Sequence, residues 1–230
     1  MQTELLKLYS RWLTELTDKC PELLSDKYSN PHYVSIPKNW ENAKHRVMIV
    51  GEEGYGSWGN GKGGGLTLDN IEKIQYWNNN DVEKILNSGK DKRKFWRRFI
   101  EISKLGYPCI WNNLDKIFVR GKKNCRLSVA DRNLLHTLPT KILKEEIGIL
   151  KPDIVIFFGW YYDSLSAELP EVCARLYPKG KKDNSLWKLK VCSIDFNGGH
   201  YIFTYHPSWH GKYKPLDYED NVLNCIKSLI

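Results

Sequence analysis

Short apolar runs that alternate with helical stretches constrain the fold of this chain more than any other feature. Each run has the length of a buried strand, is rich in β-branched or aromatic residues, and gives way to glycine or polar residues. We interpret five segments as strands: 46–50, 107–112, 153–158, 187–194 and 200–205. The dipeptide Asn197-Gly198 joins the last two as a hairpin turn. The alternation predicts an α/β fold with three layers, α/β/α, around a central, mostly parallel sheet of four to five strands.

Helical periodicity is clearest at the start of the chain. Apolar residues recur there at helical spacing, at Leu5, Leu6, Tyr9, Leu13 and Leu16. Further helices are predicted around 95–102, from a cap at Thr140 to about 150, and over 218–229. No repeat or long linker divides the 230 residues, so we predict a single domain over 1–230 with an N-terminal helical extension over about 1–40.

Charge and cysteine content narrow the function classes. Lys and Arg number 35 against 27 Asp and Glu, a net charge of +8, which favours a polyanionic partner through counterion release. The six cysteines lack the C-x-x-C spacing of zinc or iron–sulfur sites. We expect that the protein requires no metal or organic cofactor. No apolar run reaches the length of a membrane span, and no secretory pattern begins the chain. We therefore expect a cytoplasmic protein without membrane contact. A monomer is expected, although the sequence leaves the oligomeric state open.

Three polar segments come directly after predicted strands. They are 51–56 (GEEGYG), 112–116 (NNLDK) and 206–208 (HPS). The carboxyl ends of parallel strands meet at one edge of a sheet, where α/β proteins bind their ligands. We therefore expect an acid, an amide and a histidine to converge in one cleft.

These segments resemble, in the same order, the motifs of the uracil-DNA glycosylase superfamily, over roughly residues 46–209. GEEGYG is similar to the family's water-activating loop, with Glu53 at the acid position and Tyr55 where some members keep a tyrosine that excludes thymine. The N-x-x-K spacing in WNNLDK favours Asn113 over Asn112 as the asparagine that reads the base. KPDIVIFFG is similar to the family's apolar strand that ends in glycine. YHPSWH matches its His-Pro-Ser loop and is the most specific of these motifs.

The resemblance implies an enzyme that flips a pyrimidine nucleotide out of DNA and hydrolyses its N-glycosidic bond. Asn113 would pair with the base through its amide donor and acceptor. Glu53 would activate water or stabilise the sugar cation, and His206 would donate a hydrogen bond to the departing base. Tyr55 would shape the pocket. The resemblance extends the base site to Gly51, Glu52 and Asn112, and the DNA contacts to Gly54, Gly56, Lys116, Pro207, Ser208, Trp209 and His210.

Departures from the family pattern leave the substrate open. Glu53 stands where Asp or Asn is more usual, Gly54 where proline is common, and the following SWGNGKGGG is longer than expected. An extra methylene moves the carboxylate by about a bond length, and misplacement on that scale changes rates strongly. The resemblance therefore leads us to expect uracil or a modified, bulkier pyrimidine as the substrate, and it leaves the role open between base-excision repair and defence against foreign DNA such as that of a phage.

Each candidate also has an ordinary structural interpretation. Glu52 and Glu53 are also consistent with surface acids of a solvated loop, and Asn113 with a turn-capping amide. His206 is also consistent with a loop histidine, and Tyr55 with a packing aromatic. The segment KDKRKFWRR either follows phosphates with its cationic residues or is a solvated basic face above an apolar stripe.

Two other functions remain open. Residues 56–62 satisfy the G-x-x-x-x-G-K pattern of a nucleotide hydrolase, but Gly63 occupies the Ser/Thr position, and five residues separate the first glycine from the strand. The second alternative is a nucleic-acid-binding module that kept the fold and lost catalysis, because function resides in the site rather than in the fold.

Overall fold

The computed structural model describes residues 1–25, 27–51, 70–119, 128–131, 134, 142–159, 162–178, 191–207 and 216–229. Its elements in chain order are α1 (Gln2–Lys19), a 3₁₀ helix (Pro21–Leu24), β1 (Val47–Gly51), α2 (Ile71–Ser88), α3 (Lys94–Ser103), β2 (Cys109–Asn113), α4 (Leu143–Leu150), β3 (Ile154–Phe158), α5 (Tyr162–Glu168), α6 (Pro170–Leu176), β4 (Val191–Phe196), β5 (Gly199–Thr204) and α7 (Leu216–Leu229).

The strands form one mixed sheet in the order β2-β1-β3-β5-β4. Each neighbouring pair is parallel except β4 and β5, which are antiparallel. The runs VMIVG of β1 and IVIFF of β3 are buried along their whole length, as expected of strands covered on both faces. The prediction of an α/β protein with a mostly parallel sheet flanked by helices is confirmed.

Side chains from the two faces of the sheet enter two separate hydrophobic clusters. Met48 and Val50 join the cluster that contains the apolar residues of α1, α4, α5 and α6. Val47 and Ile49 join the cluster that contains those of α3 and α7. Successive side chains of a strand point to opposite faces, so this division is consistent with a layer of helices on each side of the sheet. The predicted N-terminal helical extension therefore shares its apolar face with the sheet.

The outer edge of β2 is covered by the segment that precedes β1. The backbone N–H of His32 donates to the carbonyl oxygen of Lys116 at 2.7 Å. The Nε2 atom of the His32 ring lies 3.3 Å from the carbonyl oxygen of Trp111. Burial, aided by the Lys116 ammonium, lowers the pKa of His32 to about 3. The imidazole is therefore neutral and donates from Nε2 to that carbonyl. Such contacts satisfy backbone groups that an edge strand would otherwise leave open.

The predicted strands agree with the observed ones to within a few residues where the structure describes them. Asn197 and Gly198 have φ values of 48° and 78°, as a two-residue hairpin turn requires. Helices α2, α5 and α6 were not predicted. The run Asn78-Asn79-Asn80 interrupts the apolar periodicity of α2, and α5 and α6 have only 7 residues each. Thr140 lies outside the described residues, and α4 begins shortly after it.

Candidate functional site

The carboxyl ends of the four parallel strands lie along one edge of the sheet. Gly51 at the end of β1 is in register with Asn113 at the end of β2, and Phe158 at the end of β3 is in register with Thr204 of β5. The chain continues from β1 to β2 on one side and from β3 to β5 on the other, so the strand order reverses between β1 and β3. Open α/β sheets bind ligands outside such a reversal.

Asn113 carries an unused hydrogen-bond donor at this edge. The residue is only 1% exposed, and its Oδ1 accepts a hydrogen bond from Trp111 Nε1 at 3.0 Å. An indole nitrogen can only donate, so it fixes the amide with the oxygen toward Trp111. Asn113 Nδ2 is buried and has no partner among the described residues. Leaving a buried donor unsatisfied costs about 1–3 kcal/mol, which is expected of a group that awaits a ligand.

Gly51 makes room for this amide. A Cβ atom at Gly51 would lie 3.0 Å from Asn113 Oδ1 and 3.3 Å from Phe95 Cε2. Both distances are shorter than nine in ten real Cβ contacts, so any larger residue here would displace the amide or the ring by a few tenths of an ångström. The amide of Asn113 and the ring of Phe95 therefore both lie against the end of β1.

Aromatic rings surround the amide on the α3 face of the sheet. Phe95 is half-buried, and its ring centroid lies 5.6 Å from that of Phe158 in an edge-to-face arrangement. Trp96 contacts Trp111 in the same way at 5.0 Å. In the sequence, Phe95 belongs to the basic segment KDKRKFWRR, and nothing there indicates a place beside the end of β1. Its contact with the site depends on how α3 packs beside β1, which the sequence alone does not indicate.

Asn112 points to the opposite face and belongs to a buried ionic network. Its Nδ2 donates to Glu146 Oε2 at 2.8 Å, and its Oδ1 accepts from the Lys116 ammonium and from the backbone N–H of Asn113 at 2.8 Å. The Lys116 Nζ lies 2.9 and 2.7 Å from the two carboxylate oxygens of Glu146. Tyr9 completes the network, since its hydroxyl donates to Glu146 Oε1 at 2.7 Å.

This network corrects two site assignments. Lys116 was expected to contact DNA, but its side chain is 0% exposed and its ammonium is held by Glu146. Asn112 was included in the base site, but it is also 0% exposed and interior partners occupy both ends of its amide. Both residues stabilise the interior behind β2 instead.

A second buried carboxyl near the network predicts a pH-dependent stability. Glu168 Oε2 accepts the backbone N–H of Leu143 at 3.0 Å, and burial raises the pKa of Glu168 to about 8. At a pH below the pKa of Glu168 in the unfolded chain, this carboxyl contributes its full share to the free energy of unfolding. As the pH rises from there to about 8, that contribution falls by about 1.4 kcal/mol per pH unit. Glu168→Gln removes the titration and keeps the acceptor.

The expected result is a free energy of unfolding for Glu168→Gln that rises relative to the parent between about pH 5 and pH 8, measured by urea unfolding. Glu171→Gln is the matched control, because Glu171 is exposed and pairs with Lys144 at 2.7 Å at the surface. Parallel pH profiles for Glu168→Gln and the parent would contradict the prediction.

His206 lies two residues beyond the end of β5, on the same edge as Asn113. It is half-buried, and desolvation lowers its pKa, so the imidazole is neutral at neutral pH. Three strand spacings separate β2 from β5, about 14 Å between backbones. Pro207 follows as a half-buried turn residue.

Eight predicted site residues lie outside the described part of the chain, as do residues 56–63 of the nucleotide-hydrolase pattern. They are Glu52, Glu53, Gly54, Tyr55, Gly56, Ser208, Trp209 and His210.

The basic helix α3 presents an apolar face inward and cations outward. Trp96, Phe99 and Ile100 are buried, whereas Arg97 is exposed. Arg98 pairs with Glu101 on the same helix. The exposed face agrees with both interpretations given above, a phosphate-tracking surface and a solvated basic face.

No family model and no curated protein matches this chain. Among the helices that the structure describes, none has both the length and the apolar character to cross a membrane. Within the same described ranges, no three His, Cys, Asp or Glu side chains cluster in a way that would hold a metal ion.

Proposed function

We propose that this chain is a DNA glycosylase with a uracil-DNA glycosylase-like fold, one that extrudes a pyrimidine nucleotide from DNA and hydrolyses its N-glycosidic bond. Asn113 reads the extruded base, Glu53 activates water or stabilises the sugar cation, His206 stabilises the departing base, and Tyr55 shapes the pocket. The protein acts on DNA as a cytoplasmic monomer without a cofactor.

The Nδ2 of Asn113, which has no partner among the residues that the structure describes, supports this proposal most directly. This amide is buried, has a fixed orientation and lies at the strand-order reversal of the sheet. Such a group can bind the polar edge of a planar ligand through its donor. The adjacent ring of Phe95 offers an aromatic surface for such a ligand. The net charge of +8 favours a polyanion as the carrier of that ligand.

The state of His206 supports the same chemistry. Cleavage of the glycosidic bond places negative charge on the departing base, and a neutral imidazole placed near it stabilises that charge by donating a hydrogen bond. Desolvation lowers the pKa of His206, so this form persists at neutral pH. His206 at one end of the base and Asn113 at the other would hold its ring between them.

The deciding experiment presents oligonucleotides that carry uracil, mismatched thymine or hypermodified cytosine, single-stranded and in duplex, and follows them by alkaline cleavage at abasic sites. Strand breaks at one of these bases are expected, together with their loss in Glu53→Gln and His206→Ala while DNA binding persists. DNA binding without breaks would favour the inactive binding module. No breaks together with ATP hydrolysis would favour the nucleotide hydrolase.

Gly51→Ala is expected to slow base excision roughly tenfold. The new Cβ would push on Asn113 Oδ1, from which it would lie only 3.0 Å away, and a misplacement of about 1 Å costs about a hundredfold in rate. Single-turnover kinetics measure the effect. Gly148→Ala in α4 is the control, since its Cβ would meet nothing within 4 Å. Equal rates for both variants would show that Asn113 tolerates displacement.

A further inference from the structure

Trp111 holds the amide of Asn113 in one of its two possible orientations. An asparagine amide has nearly the same shape after a half-turn, so it can present either its oxygen or its nitrogen to a given neighbour. Here the Trp111 indole N–H lies 3.0 Å from Asn113 Oδ1. The half-turn would place two donors against each other and leave the indole without an acceptor. The orientation is therefore set by Trp111.

The indole itself is held firmly. Its ring lies 5.0 Å from Trp96 and 4.2 Å from His32, measured between centroids, and the Trp111 residue is 8% exposed. Its backbone carbonyl also accepts from His32. Trp111 cannot follow a rotating amide without disturbing these contacts.

We propose that Trp111 is a specificity-determining residue, which restricts the site to pyrimidines with a 4-oxo group and excludes those with a 4-amino group. This inference rests on the proposed function. The fixed amide offers Nδ2 as a donor, which matches a 4-oxo oxygen. A 4-amino group would place donor against donor, and only the flipped amide, which Trp111 forbids, would accept it. Trp111 acts through Asn113 and is not itself a catalytic residue.

The test uses oligonucleotides that contain 2′-fluoro-2′-deoxyuridine or 2′-fluoro-2′-deoxycytidine. The fluorine destabilises the positive charge that develops on the sugar, so both probes report binding without cleavage. The parent is expected to prefer the uracil probe over the cytosine probe. Trp111→Phe keeps an aromatic ring and removes the N–H, and we expect it to reduce that preference at least about tenfold. Trp40→Phe is the control, because it also removes a buried indole N–H, which donates to the Leu150 carbonyl oxygen at 3.0 Å in the hydrophobic cluster on the other face of the sheet.

A measurement on the unmodified protein covers the case in which Trp111→Phe does not fold. The side-chain NH₂ resonance of Asn113, assigned from its loss in Asn113→Ala, is expected to shift with the uracil probe and to stay in place with the cytosine probe. Equal shifts with both probes, or an unchanged preference in folded Trp111→Phe, overturn the role of Trp111. If neither probe binds better than unmodified DNA and no base is excised, the proposed function itself fails, which is a different result.

Discussion

Asn113→Ala is expected to lower the rate of base excision by about 10²–10³-fold, the usual effect of removing one hydrogen-bond donor that stabilises developing charge. The side chain supplies the buried donor for which the described residues offer no acceptor. Single-turnover cleavage of the preferred oligonucleotide measures the loss, since this measurement separates chemistry from product release.

The stability of the same variant is expected to change little. Alanine leaves Trp111 Nε1 without its acceptor, but it also removes the unsatisfied Nδ2, and the two effects are of similar size, about 1–3 kcal/mol each. A large loss of rate with a small loss of stability separates a ligand-binding amide from the turn-capping amide considered above. Asn79→Ala is the control, because Asn79 Nδ2 donates to Glu83 at the surface of α2. A turn-capping role would give the reverse pattern, with lower stability and an unchanged rate.

The positions of the strands along the chain and the placement of polar residues at their ends follow from local pattern. Buried parallel strands are continuous apolar runs, and the residue after each run lies at the carboxyl edge, so the positions of Gly51, Asn113 and His206 could be predicted. The face on which a side chain lies depends on the strand's register with its neighbours. Asn112 and Asn113 are adjacent and polar. Because successive side chains of β2 point to opposite faces of the sheet, Asn112 joins the ionic network and Asn113 lies on the aromatic face.

Long-range partners could not be predicted. Lys116 looked like a surface cation because a lysine in a loop is usually exposed. Its partner Glu146 lies 30 residues away in α4, and no local signal connects the two. The role of Trp111 could not be predicted either. Its indole N–H is important because Asn113 Oδ1 lies 3.0 Å away in the fold. Pairs that are distant in sequence, or that depend on side-chain orientation, require the fold before they can be recognised.

Lys116→Met is expected to destabilise the protein by about 3–5 kcal/mol, because it leaves a charged Glu146 buried without its cation. The side chains of both partners are 0% exposed, with Lys116 Nζ 2.7 Å from Glu146 Oε2. Tyr9 and Asn112 would still donate to the carboxylate, but two neutral donors do not replace an ammonium. The free energy of unfolding from urea titration measures the effect. Lys144→Met is the control, because the exposed Lys144–Glu171 pair is worth less than about 1 kcal/mol.

A second substitution distinguishes an unpaired charge from lost packing. Lys116→Met combined with Glu146→Gln removes both charges and keeps an amide at position 146 as a hydrogen-bonding partner for Tyr9 and Asn112, so no buried charge is left unpaired. The double variant is therefore expected to be more stable than Lys116→Met alone. If Lys116 instead contacted phosphates, the single variant would keep its stability, and DNA binding would lose about one unit of its logarithmic salt dependence. The two roles thus predict changes in different measurements. A folded, fully stable Lys116→Met variant with weakened DNA binding would show that Lys116 contacts DNA instead of stabilising the interior.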